Sequence, residues 1–169
     1  MQKQNAIVCN GKKLTLEGRE YACVIGRHGM TQDKREGDLA TPIGKFQLRA
    51  CYYRPDRITP PPITQLPLIA LSPNDGWCDD PKHELYNKPV KLPFDASHEK
   101  LWREDHAYDI IVPLGYNDEP IIAGKGSAIF WHLAQPDWRG TEGCVAIERD
   151  AMLEILRFCS TNTVMVIES

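Results

Sequence analysis

The 169-residue sequence contains no apolar run approaching the ~18 residues that a membrane-crossing helix needs, so no membrane span is expected. It also lacks any C-x-x-C pair. Its six cysteines, Cys9, Cys23, Cys51, Cys78, Cys144 and Cys159, are scattered at spacings that resemble no disulfide framework, which points to free thiols in a reducing compartment. Positive charge is not concentrated anywhere: 20 Lys and Arg are interspersed with 23 Asp and Glu for a net charge of -3, which argues against a nucleic-acid binder. Internal repeats and low-complexity tracts are missing too. A secretory leader would need a basic start followed by a continuous apolar stretch. Here the longest early apolar run is Ala6–Cys9, stopped by Asn10 and Gly11. A cytoplasmic location is the expectation, and a periplasmic one if a leader has been removed.

The remaining composition, 42% hydrophobic and 25% charged, is that of a globular chain, and the length suits a single domain over residues 1–169. Short β-rich segments separated by Gly or Asn open the chain: AIVCN, KLTLEG and EYACVIG. Residues 27–38 read as an exposed polar loop, GKFQLRACYY as a strand, and RPDRITPPPITQLP as an irregular excursion that proline keeps out of helix and central strand. LIALSP reads as a short buried strand, and Ser97–Glu104 as one or two helical turns with Ser97 as N-cap. Two strands are expected within residues 110–134, joined by the turn GYNDEP. The spacing of Met152, Leu153, Ile155, Leu156 and Cys159 predicts a helix, and TVMVIE a closing strand. The sum is a mainly β domain, sandwich or barrel-like, with one or two helices.

One stretch stands out chemically. The apolar run SAIFWH ends in His132, and twelve residues on, past Pro136 and Gly140, Cys144 follows directly behind Gly143. Strand alternation puts Ala128, Phe130 and His132 on one face. A loop of that length lets the chain double back and bring thiol and imidazole to one cleft. A thiol attacks a carbonyl as thiolate, so it needs a base and an electropositive setting. Gly143 would permit an unusual φ, and the Gly143 and Cys144 amides are natural oxyanion donors. Residue types alone leave two readings open: nucleophile and base, or a core strand with an incidental His and Cys. A metal reading of Cys78, Asp79, Asp80 and His83, with His98 and His106 downstream, lacks the tight ligand pairing such sites show, so no metal is expected.

The segment FWHLAQPDWRGTEGCVAI resembles the signature of the L,D-transpeptidase catalytic domain (YkuD-like) family: a strand-end His, a variable loop, then Ser/Thr-His-Gly-Cys and an apolar residue, with Thr141, Gly143 and Cys144 matching. GDLATPIGKF, with Thr41, Pro42 and Gly44, is similar to that family's Thr-Pro-x-Gly-x-Phe hairpin. Blocks in the same order cover residues 35–148. The resemblance implies a β-sandwich or barrel-like catalytic domain without a cofactor. It makes Cys144 a nucleophile toward the carbonyl of the third stem residue of peptidoglycan, usually meso-diaminopimelate, with loss of D-alanine. His132 would be the base, held by the Leu133 carbonyl.

Two positions depart from the pattern. Glu142 replaces the family's second His, and Ala146 stands where an Arg is frequent. Arg139 and Arg103 become candidates for substrate carboxylates, against the reading of solvated surface charges; Glu142 either points away or binds a substrate amine; Thr141 is a further substrate contact, and Trp131 and Trp138 are candidates to flank the cleft, with core packing the favoured reading of Trp131. The acyl-enzyme has two fates: hydrolysis, an L,D-carboxypeptidase acting on muropeptides or precursors, or transfer to a second stem, a 3→3 cross-link. A cytoplasmic setting favours hydrolysis. The reading of another class is a catalytically silent stem-peptide binding module, with Glu142 as the damaged residue; a rapidly labelled thiolate would separate the two.

Overall fold

The computed structural model describes residues 5–169. Its first three strands, β1 (Ala6–Cys9), β2 (Lys13–Leu16) and β3 (Arg19–Val24), pair antiparallel in sequence order. The Asn10 carboxamide accepts the Lys12 and Lys13 N–H groups at 3.0 and 2.9 Å and closes the first turn. Glu17 and Gly18, with φ of 48° and 82°, make the second turn, the two positive φ values matching the twist of the flanking strands. A small parallel pair follows, β4 (Met30–Thr31) with β5 (Thr41–Pro42), then β6 (Gly44–Gln47), β7 (Cys51–Tyr53) and β8 (Leu68–Ala70). Strands β9 (Asp75–Cys78), β10 (Pro89–Lys91) and β11 (His98–Lys100) form a separate antiparallel sheet with β9 in the middle. The chain continues through β12 (Ile110–Pro113), β13 (Phe130–Leu133), β14 (Val145–Ile147), helix α1 (Arg149–Leu156) and β15 (Val164–Ile167).

Ten of these strands form one mixed sheet in the order β6-β15-β1-β2-β3-β14-β13-β12-β7-β8. Laid flat at ~4.8 Å per strand, β6 and β7 would stand about 38 Å apart. Residues 48–50 alone join them, a reach of about 14 Å at most. The sheet therefore curls until its far ends approach, and a bridge between Leu48 and Leu114 marks the near-closure. The fold is mainly β, as the sequence implies, with α1 as the helix among the described residues.

The inside of the curl is filled by Ile7, Leu14, Leu48, Trp131, Val145 and Met165, with α1 laid over it through Met152, Ile155 and Leu156. The Glu148 carboxylate caps that helix by accepting the Asp150 and Ala151 N–H groups at 3.0 and 3.1 Å. A second apolar cluster lies on the opposite face of β13. There Trp77 of the small sheet meets the Phe130 ring edge-on at 5.0 Å, and Tyr108, Leu101, Ala128 and Cys144 join it. Strand β13 thus divides its side chains between two cores, Trp131 and Leu133 to one, Phe130 and His132 to the other.

Several expectations need correction. Ser97–Glu104 is not helical: His98–Lys100 forms β11, because three residues find ladder partners on β9 and the Ser97 hydroxyl goes to Asp79 Oδ1 at 2.6 Å instead of capping. LIALSP does contain a strand, but Leu68–Ala70 is exposed at the sheet edge. GKFQLRACYY breaks into β6 and β7, and the link from β12 to β13 spans residues 114–129 rather than a single turn. The 27–38 segment is not wholly exposed, since Lys34 is buried.

Since α1 reaches the core through few side chains, Met152→Ala should lower stability by about 2–5 kcal/mol, read as a shifted urea midpoint with an unchanged slope.

Candidate active site

Strands β13 and β14 run parallel, with His132 beside Ala146. That register sets Cys144, the residue before β14, on the same side of the sheet as His132. Each is 7% exposed, at the floor of a cleft of about 760 Å³. A smaller hollow of about 200 Å³ behind the Phe130 ring holds neither thiol nor imidazole. Phe130 and His132 share a face, as alternation implies, while Ala128, at φ 52° ahead of the strand, reaches the same cluster without belonging to the strand; thiol and imidazole share one cleft.

The imidazole is oriented by backbone. His132 Nδ1 lies 2.9 Å from the Leu133 carbonyl, which can only accept, so Nδ1 carries the proton and Nε2 keeps its lone pair. The Tyr108 ring packs against the imidazole edge-on at 5.2 Å. Behind it the Arg103 guanidinium lies 4.8 Å from the Tyr108 ring centre, clamped by both oxygens of Asp105 at 2.9 and 2.5 Å. The Tyr108 hydroxyl donates to Glu99 Oε2 at 2.6 Å.

The thiol is parked on backbone. Cys144 Sγ donates to the Ala128 carbonyl at 3.3 Å and accepts from the Phe130 N–H at 3.4 Å. Among the described residues it has no hydrogen bond to His132. Burial pushes the thiol up to about 12, with the Glu99 carboxylate adding to the rise and the Phe130 N–H and Lys34 opposing it. Burial lowers His132 to about 4, against the pull of the Leu133 carbonyl. Glu99 is itself raised to about 7 by burial, the Tyr108 hydroxyl working the other way. Thiol and imidazole are thus both neutral at rest, and the electropositive setting expected for Cys144 is supplied only by Lys34 and backbone N–H.

The turn before Cys144 is held by long-range contacts. Thr41, fully buried, accepts the Gly26 N–H at 2.8 Å and donates to the Gly143 carbonyl at 2.9 Å. Gly143 has φ +133°, and a Cβ there would lie 2.9 Å from the Ala40 carbonyl oxygen. Glycine is demanded twice over, by φ and by space. Its N–H donates to Thr141 Oγ1 at 3.2 Å, and the Thr141 hydroxyl donates to the Cys144 carbonyl at 2.6 Å. The Gly143 amide is therefore committed within the turn, whereas the Cys144 N–H has no acceptor among the described residues.

The other expected site residues are divided. Arg103 and Thr141 line the cleft, the first tied to Asp105 and the second locking the turn. Arg139 and Glu142 line the cleft at its rim, Arg139 64% exposed and 3.8 Å from Asp137, Glu142 exposed and 3.6 Å from Arg27. Trp131 is placed in the core on the other face of β13, fully buried and with its indole N–H unpartnered, so it does not wall the cleft. Lys34, Glu99 and Tyr108, absent from the residues singled out in the sequence, do.

Compared with family models, the chain matches the L,D-transpeptidase catalytic domain (YkuD) over residues 2–167. The chain belongs to that family. Among curated proteins, none matches it. The L,D-transpeptidase family acts on peptidoglycan peptides, and no helix among the described residues is long and apolar enough to cross a membrane.

For this L,D-transpeptidase domain, Gly143→Ala should cost about 1–3 kcal/mol of stability from strain at positive φ and reduce turnover by displacing the adjacent sulfur, both measurable on the purified variant. Because the thiol is raised from its ordinary value, its thiolate fraction falls at every pH below that value. Contrary to the rapid labelling expected of an activated thiolate, Cys144 in the free protein should alkylate more slowly at pH 7 than an exposed thiol, with the rate still rising above pH 9, as iodoacetamide kinetics by mass spectrometry would report, so turnover rather than labelling separates the enzyme from a silent binding module.

Proposed function

We propose that this chain hydrolyses the L,D peptide bond between the third residue, meso-diaminopimelate, and the terminal D-alanine of peptidoglycan tetrapeptide stems, through an acyl-enzyme on Cys144. The observation that carries this reading is the shared cleft floor: a thiol beside an imidazole whose Nδ1 is fixed by Leu133, leaving Nε2 free to take a proton. As the substrate carbonyl approaches, the sulfur leaves the Ala128 carbonyl and attacks carbon while its proton passes to His132 Nε2. The carbonyl π pair moves to oxygen, where the Cys144 N–H meets it. Collapse returns that pair, breaks the C–N bond and delivers the His132 proton to the departing D-alanine amine. Water, giving a proton to the same imidazole, then attacks the acyl carbon; collapse breaks the C–S bond, the His132 proton returns to the Cys144 sulfur, and the tripeptide acid leaves. The neutral resting pair makes proton transfer and attack one coupled event rather than a preformed ion pair.

Water favours the hydrolytic fate by concentration. It stands roughly four decades above a dilute amine acceptor, a bias of about 5.6 kcal/mol. Soluble muropeptides or precursors in a reducing compartment suit that fate. Transfer to a second stem, giving a 3→3 cross-link, is the rival outcome of the same acyl-enzyme.

Incubation of purified protein with a disaccharide-tetrapeptide should release D-alanine and the tripeptide without a dimer, by mass. A dimer as dominant product at modest substrate concentration would reverse the reading to transpeptidation. Cys144→Ala should abolish turnover, on the order of 10³-fold or more, with the fold intact, and His132→Ala should fall by a similar factor because the two act as a unit. More than a tenth of wild-type turnover in Cys144→Ala would remove Cys144 from the role.

A further inference from the structure

Four cations line the cleft, and three are spent or displaced. Arg27 faces Glu142 at the rim, Arg139 stands in solvent, and Arg103 is clamped by Asp105 over the Tyr108 ring. Lys34 differs: its side chain is 4% exposed, yet it lines the same cleft as Cys144. Its ammonium donates to Asp38 Oδ1 and to the Arg35 carbonyl at 3.0 Å. An ammonium has three N–H donors, so one is left over.

That ammonium sits against the turn that presents the nucleophile. It lies 3.6 Å from where a Cβ on Gly143 would be. It is also the cation whose charge acts on the Cys144 sulfur. Asp38 does not need it to hold the loop, since its carboxylate already accepts the Arg35 N–H at 2.8 Å and the Ala40 N–H at 3.0 Å. A buried ammonium costs several kcal/mol of desolvation that an apolar side chain would avoid. The turn, meanwhile, is one donor short, because the Gly143 N–H is committed to Thr141.

We propose that Lys34 is a catalytic residue, its remaining N–H donating to the oxyanion formed when Cys144 attacks the scissile carbonyl, beside the Cys144 N–H. This rests on the acyl-enzyme reading above. Lys34 keeps its proton throughout: the π pair moves to oxygen on attack and returns on collapse, while the mobile proton travels by His132. The carboxylates that line the cleft with it are Glu36, Asp79, Glu99 and Glu142, and Lys34 is the cleft cation whose ammonium lies against the Gly143 turn.

The test is Lys34→Met combined with Asp38→Asn, which removes both charges of the ion pair and leaves one oxygen at position 38 for the Arg35 or the Ala40 N–H. kcat should fall on the order of 10²-fold with KM within about threefold. A stem peptide ending in an aldehyde at the scissile carbonyl, which captures the thiol as a tetrahedral hemithioacetal, should lose affinity by a comparable factor. Binding of intact tetrapeptide to a Cys144→Ala background should stay unchanged, which a merely structural role would not predict. Lys34→Arg should recover part of kcat. Should the double variant unfold, Lys34→Gln gives the same comparison with a donor kept to Asp38. Turnover within threefold of wild type, or equal losses for aldehyde and ground-state peptide, would overturn the assignment of Lys34 alone. Turnover surviving Cys144→Ala would overturn the acyl-enzyme reading and Lys34 with it.

Discussion

The parallel pairing of Phe130–Leu133 with Val145–Ile147 is the constraint on which the site depends. Parallel neighbours cannot be joined by a tight turn, so the chain between them must travel. Here it does so as a loop, returning at Gly143, and the register that sets His132 beside Ala146 fixes where Cys144 emerges. A slip of one residue would send the imidazole into the core occupied by Trp131. Both faces of this strand are buried, so such a slip would break two apolar clusters at once. The precision of the thiol–imidazole placement is therefore enforced by packing rather than by any bond between the two groups.

Burial sets the electrostatics of that placement. Low-dielectric surroundings lift the thiol and depress the imidazole, so the charged pair is disfavoured until a substrate brings new donors. The polar atoms that remain are nearly all backbone: the Ala128 carbonyl and Phe130 N–H on the sulfur, and the Leu133 carbonyl on the ring. Such groups are held by the sheet and cost little to reorganise during reaction. The side-chain charges sit one step back, with Lys34 beneath the Gly143 turn and Glu99 behind Tyr108.

The turn itself joins distant parts of the sequence. Thr41 and Ala40, in the Thr-Pro-x-Gly segment, close on Gly143 from about a hundred residues earlier, and the 34–38 loop carries Lys34 beneath them. Two segments separated by most of the chain thus build one backbone cradle. The small sheet of β9, β10 and β11 covers it, with Trp77 on Phe130.

The sequence by itself determined the mainly β class, the strands at both ends of the chain, the apolar stripe of the helix, and His132 with Cys144 as the pair to examine. Each of these rests on local pattern: alternation, helical spacing, or a Gly-Cys turn after a His-terminated strand. Only the tertiary structure decided that His98–Lys100 pairs as a strand, since a three-residue ladder on β9 outweighs a serine's capping preference. The fold likewise placed Trp131 in the core and tied up the Gly143 amide. It also turned Lys34, one polar residue in a stretch that reads as solvent-exposed, into a buried side chain whose ammonium lies against the Gly143 turn. Burial and hydrogen bonds between residues a hundred positions apart leave no periodic trace in a single chain, so those features became visible only once the sheet had curled.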